Sequence, residues 1–157
     1  MGLFDKLFGR KTGATTETTG DELEPEISPE QLHMACAALL LEVAEADYKD
    51  DPKETQAILR ALESELGLKR AAVTALLDQA KAETEGATDL FPYTHLINQR
   101  CTREQKCAML TAMWRVAFAD GDLDKYEEHL IRRTMELLRL EHSDFIRAKQ
   151  AGRPKQH

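Results

Sequence analysis

From residue 28 to about residue 150, apolar positions recur at the three- and four-residue spacing of helices, never at the two-residue spacing of strands. Ser28-Pro29-Glu30-Gln31 reads as a capping box with proline at the first helical position. The stretch that follows, 32–46, is apolar on nearly every side, as a central buried helix must be. Asp51-Pro52-Lys53-Glu54 opens a second helix, which Gly67 closes. A third helix is predicted over 69–83, ending near Gly86, and a shorter fourth over 91–99. Thr102-Arg103-Glu104-Gln105 caps a fifth, with Cys107, Leu110, Met113, Trp114 and Ala117 as its inward stripe. Asp124-Lys125-Tyr126-Glu127 caps a sixth, with Leu130, Ile131, Thr134, Leu137 and Leu138 facing inward. A last short helix is predicted over 143–150. The fold class is all-α: one bundle of six or seven helices.

The residues before the bundle have a different character. In residues 1–11, Leu3, Phe4, Leu7 and Phe8 share one helical face, which suits a foot for a membrane surface or a partner groove. A frayed end, or a segment packed on its own domain, fits the same pattern. Residues 12–27 hold five threonines, several acids and no aromatic, so they bury too little to offset their ordering entropy and read as a linker. The domain proper is predicted over 28–151, with a basic tail over 152–157.

Composition narrows the function. Lys and Arg number 21 against 28 Asp and Glu, a formal net charge of −7, which argues against a general nucleic-acid binder. No apolar run approaches the ~20 residues of a membrane span. The three cysteines, Cys36, Cys101 and Cys107, are an odd number with no secretion signal, so a reducing, cytoplasmic setting is expected. Their spacing matches no zinc motif, and they read as buried or inert thiols.

The bundle contains an internal repeat. Val43-Ala44-Glu45-Ala46-Asp47 aligns with Val116-Ala117-Phe118-Ala119-Asp120 at an offset of 73. The same offset pairs Glu54 with Glu127, Ile58 with Ile131 and Leu62 with Met135; after the loss of one residue, Leu68 pairs with Leu140. Two such units, packed about a pseudo-twofold axis, would bring two acidic turns together. Asp47 and Asp120 each sit where a helix ends, and an anion there opposes the helix dipole. A bound cation, a nearby Lys or Arg, or the N-terminus of a neighbouring helix would each compensate it.

Asp120-Gly121-Asp122-Leu123-Asp124 matches the first three ligand positions of an EF-hand loop. Lys125 stands where that loop needs glycine, and Ile131 where it needs its bidentate glutamate, so an EF-hand is excluded. The carboxylates still suit a hard divalent cation such as Ca²⁺ or Mg²⁺. Asp51 with Glu54, and Asp124 with Glu127, are equally explained as capping boxes. Enzyme signatures are missing: Glu30-Gln31-Leu32-His33 is a single copy of a di-iron element that requires two, and no phosphate loop or metalloprotease motif occurs. The chain is expected not to be an enzyme.

Trp114-Arg115 and the run Val116-Ala-Phe-Ala-Asp-Gly-Asp-Leu-Asp-Lys-Tyr-Glu-Glu-His-Leu-Ile131 resemble the TerB family of bacterial tellurite-resistance proteins. The weaker first copy, Glu42-Val-Ala-Glu-Ala-Asp47, together with Asp89-Leu-Phe91 and Asp144-Phe-Ile-Arg-Ala-Lys149, is similar to a stand-alone bacterial branch of it. The resemblance covers residues 30–150. In the first copy Tyr48-Lys49 replaces the glycine and acid common in the family. The resemblance implies a pseudo-symmetric helical bundle, linked to tellurite and stress resistance and to membrane-associated systems, including the front of a J-domain co-chaperone. Carried onto this sequence, its candidate metal or partner positions are Asp47, Glu54, Asp120, Asp122, Asp124 and Glu127. The expected function is a non-enzymatic protein-interaction adaptor at the inner membrane face, tuned by a divalent cation at its acidic turns. The alternatives are a metal sensor or buffer and, more remotely, a carboxylate-metal enzyme.

Overall fold

The structure, a computed structural model, describes residues 29–45, 52–85, 89–119, 123 and 125–153. Among them are seven helices and no strand. In chain order they are α1 (Pro29–Glu45), α2 (Pro52–Leu66), α3 (Arg70–Thr84), α4 (Phe91–Arg100), α5 (Arg103–Ala117), α6 (Lys125–Leu137) and α7 (His142–Gly152). Each predicted helix is present. The N-terminal segments 1–11 and 12–27 lie outside the described residues.

Helix α1 is the axle of the bundle, packing against α2, α3, α4, α5 and α6. Its uniformly apolar sequence is the cause: Leu32, Met34–Leu41, Val43 and Ala44 are all buried, so every side of the helix needs a neighbour. Each fully buried Leu or Ile removes enough apolar surface from water to contribute roughly 1.5–3 kcal/mol. The second centre is Trp114 of α5, wholly buried, stacked on Phe118 at 5.5 Å and edge-on to Phe145 of α7 at 5.3 Å.

The repeat seen in the sequence is also a repeat of packing. Helix α1 packs on α3 as α5 packs on α7; α1 meets α6 as α5 meets α2. The paired residues share their burial: Glu54 with Glu127, Ile58 with Ile131 and Leu62 with Met135 are all inside. Helix α4 is the odd element, inserted between the two three-helix units.

Local chemistry places the helix ends. Thr102 and Gln105 form the predicted capping box of α5, with Gln105 N–H donating to Thr102 Oγ1 at 3.1 Å and Thr102 N–H to Gln105 Oε1 at 2.8 Å. The end of α6 is held by borrowed donors: Asn98 Nδ2 donates to the Leu137 carbonyl at 2.8 Å and Lys106 Nζ to that of Leu138 at 3.2 Å. Inward stripes differ in detail from the sequence pattern. Cys107, Leu130 and Leu137 are only half-buried, while Met109, Ala112, Val116 and Met135 are buried. Because α5 contacts α1, α2, α6 and α7, it buries more of its circumference than a single stripe. Gly152 is the last residue of α7 and is buried.

Candidate functional site

Two of the six acidic candidates lie among the described residues. Glu54 and Glu127 occupy the third position of α2 and α6, are 1% and 0% exposed, and are each engaged by contacts of their own. The third helical position is where a capping-box glutamate belongs. Asp47, Asp120, Asp122 and Asp124 lie outside the described residues, as do Leu3, Phe4, Leu7 and Phe8. No cluster of three or more His, Cys, Asp or Glu side chains suited to a metal ion occurs among the described residues.

The structure does place the chain on either side of the acidic turns. A groove of about 660 Å³ runs between α2 and the end of α5. From α2 it is lined by Pro52, Lys53, Gln56, Ala57, Arg60, Ala61 and Ser64. Its other wall is Arg115 in the last turn of α5 and Phe118 and Ala119 just beyond it, with Gly152 and Arg153 from the end of α7. Pro52 is bonded to Asp51 and Ala119 to Asp120, so each acidic turn joins this groove within one ~3.8 Å Cα step. The same arrangement sets the positive N-terminal end of α2 beside the negative C-terminal end of α5.

Arg153 is held on the groove by close helix packing. A Cβ on Gly152 would lie 2.6 Å from Trp114 Cβ and 3.0 Å from the Thr111 carbonyl oxygen, so only glycine lets α7 approach α5 this closely. The Arg153 guanidinium then sits 5.9 Å from the centre of the Phe118 ring. The sequence reading missed this groove. Its trace was legible in α2, where Lys53 and Arg60 are seven residues apart and Ala57 and Ala61 four, as one helical face requires.

The other singled-out groups are structural. His33, in the first turn of α1, is half-buried, and its pKa is lowered by that burial against the opposing pull of Glu30. The Cys36 thiol is pushed well up by burial, and that of Cys101 to about 12 by the same cause. Cys107 is raised too, by burial and then by the neighbouring Asp144. All three are free thiols without the lowered pKa of a nucleophile.

Fold and turns together define a class: an all-helical module made of two three-helix units, each with an acidic turn between its first and second helices. The family model described as tellurite resistance protein TerB matches residues 33–150, and the chain belongs to the TerB family. No curated protein matches the chain. Among solved structures, a protein of unknown function from Porphyromonas gingivalis W83 is similar, with a TM-score of 0.59 and 20% identity over 86% of this chain and 99% of that one. At that identity the likeness speaks for the fold alone. The chain is thus a helical module of a tellurite-resistance-associated family. No helix among the described residues is long and apolar enough to cross a membrane.

Proposed function

We propose that this protein is a non-catalytic docking module that joins a protein complex at the cytoplasmic face of the membrane, with a divalent cation at its acidic turns setting when it docks. The observation that carries the reading is that Pro52 and Ala119 line one groove, so both acidic turns attach to the edge of the same concave surface. A surface flanked by two carboxylate-rich turns changes its charge when a cation binds there, and its affinity for a charged partner changes with it. Carboxylate oxygens are the right donors for Ca²⁺ or Mg²⁺. Glu54 and Glu127 are buried and already engaged, so Asp47, Asp120, Asp122 and Asp124 would carry the ion. Residues 1–11, with Leu3, Phe4, Leu7 and Phe8, would supply the membrane contact.

The test is the melting temperature of metal-stripped protein with and without millimolar Ca²⁺, Mg²⁺, Mn²⁺ or Zn²⁺. An ion at 100 times its dissociation constant adds about 2.7 kcal/mol to the folded state. The reading requires a rise that disappears in Asp47→Asn/Asp120→Asn; no shift with any ion removes the cation from it. Deleting residues 1–11 should abolish sedimentation with anionic vesicles while leaving the melting temperature unchanged, and retained sedimentation would remove the membrane foot. A metal sensor or buffer is the second reading. It is favoured by the aspartates at positions 120, 122 and 124, and it predicts cation binding without any partner.

A further inference from the structure

The described residues that line the groove between α2 and α5 carry a charge opposite to that of the whole protein. The chain has a formal net charge of −7, yet no described residue lining the groove is acidic, and Lys53, Arg60, Arg115 and Arg153 all line it. Arg60, Arg115 and Arg153 form no ion pair among the described residues. The acid closest to Arg60 along its helix face, Glu63, is instead held by Arg70 through two bonds of 2.8 and 3.0 Å. Between the cations the floor is small and apolar: Ala57, Ala61, Ala119 and Gly152, with the Phe118 ring at one side.

We propose that this groove binds an acidic, amphipathic helical segment of a partner protein. Its carboxylates would pair with Arg60, Arg115 and Arg153, and an apolar side chain would lie against Phe118 and the alanines. Three features select this occupant. Guanidinium groups match carboxylates in geometry as well as charge, and these three form no ion pair among the described residues. A floor of alanine and glycine lets another backbone approach closely, as helix-in-groove recognition needs. The surface is concave and wedged between two helices, so a flat bilayer would not fill it. The inference rests on the docking reading above.

The probe is a fluorescein-labelled synthetic 14-residue peptide with leucines at i, i+4 and i+7 and glutamates on the flanking positions. A twin with lysine in place of every glutamate is the control. Both are titrated into the full chain labelled with ¹⁵N. The acidic probe should bind, weaken as salt rises, and shift the amide signals of Ala57, Arg60, Ala61, Phe118 and Arg153, whereas the lysine twin should not bind. Arg60→Glu/Arg115→Glu should weaken the acidic probe at least tenfold, and Arg60→Gln/Arg115→Gln less, with an unchanged melting temperature in both. Absence of binding at millimolar probe, equal binding of the twin, or indifference to both double variants would overturn the proposal.

A full-length variant with Glu17, Asp21, Glu22, Glu24 and Glu26 changed to amides should bind the probe as the wild type does. Binding at least tenfold tighter would mean that the chain's own acidic segment is the occupant, and would overturn the partner. In-cell crosslinking separates the two levels of the reading. A partner captured equally by wild type and by the Arg60→Glu/Arg115→Glu variant would keep the docking function and overturn the groove. Failure to capture any partner, together with no probe binding, would overturn both.

Discussion

Gly67 and Arg139 stand in equivalent places, 72 residues apart, each just beyond the second helix of its repeat and each with positive φ, 69° and 61°. At Arg139 the turn is a full Schellman motif: Arg139 N–H donates to the Glu136 carbonyl at 3.0 Å and Leu140 N–H to that of Met135 at 3.0 Å. Leu140 and Met135, which such a motif brings together, are both buried. One repeat meets this backbone demand with glycine, and the other forces an arginine into it.

An L-residue held in the left-handed region costs about 1–2 kcal/mol, against which glycine loses about 0.5–1 kcal/mol of extra chain entropy on folding. Arg139→Gly should therefore stabilise the protein by about 0.5–1 kcal/mol, and Gly67→Ala should destabilise it by about 1 kcal/mol. Urea midpoints at unchanged m-value check both. A destabilised Arg139→Gly would mean that its side chain matters more than its backbone.

How much of this was legible in the sequence follows from such details. All seven helices were readable from apolar spacing, and at the start of α5 the cap agreed with it, at Thr102 and Gln105. The repeat was readable because paired residues such as Ile58 and Ile131 share a buried environment. The groove was not, because it is made by three elements distant in sequence, and only the α2 face left a pattern. The capping of α7 by Asp144 was also hidden. Its strength comes from Arg103, 41 residues away, which no local motif reveals.

The approach of α7 to α5 at Gly152 yields a sharp test. In an open helix, alanine would gain about 1 kcal/mol over glycine. Here the added carbon would meet Trp114 Cβ at 2.6 Å, a rigid position at the root of a wholly buried side chain. Overpacking of this kind costs typically 1–3 kcal/mol, so Gly152→Ala should lower the melting temperature. Trp114 is the chain's single tryptophan, so its fluorescence reports the displacement directly. An unchanged emission spectrum with raised stability would show that α7 ends free of α5.

The thiols should be sluggish. Reaction with a disulfide reagent goes through the thiolate, and a pKa of about 12 at Cys101 leaves only on the order of one molecule in ten thousand ionised at pH 8. Native protein at that pH should therefore release less than one equivalent of thiol product within minutes, and all three in denaturant. Half-buried Cys107 should react before buried Cys36. Rapid labelling of Cys36 or Cys101 in the native protein would show that α1 and the α4–α5 junction open far more readily than their burial implies.

The last test turns on Asp144, whose side chain is fully buried although it caps a helix. It accepts the Glu141 N–H at 2.9 Å and the Arg103 guanidinium at 2.9 Å on both oxygens, and so ties the start of α7 to the start of α5. Burial pushes its pKa up, but the Glu141 hydrogen bond and Arg103 together outweigh it, and the net shift is downward. With the folded-state pKa below the unfolded one, the unfolded chain binds more protons in the acid range, so stability rises with pH there. The contribution is present in full above the ordinary aspartate pKa of about 3.9 and is lost as pH falls through the lower folded value. Asp144→Asn should cost about 2 kcal/mol at pH 7, the loss of charge-assisted hydrogen bonds at a buried position. The gap between variant and wild type should hold from pH 7 to about pH 5 and narrow progressively below about pH 4. A gap that stayed constant down to pH 2 would mean that shape and capping, rather than the charge on Asp144, hold α7 against α5.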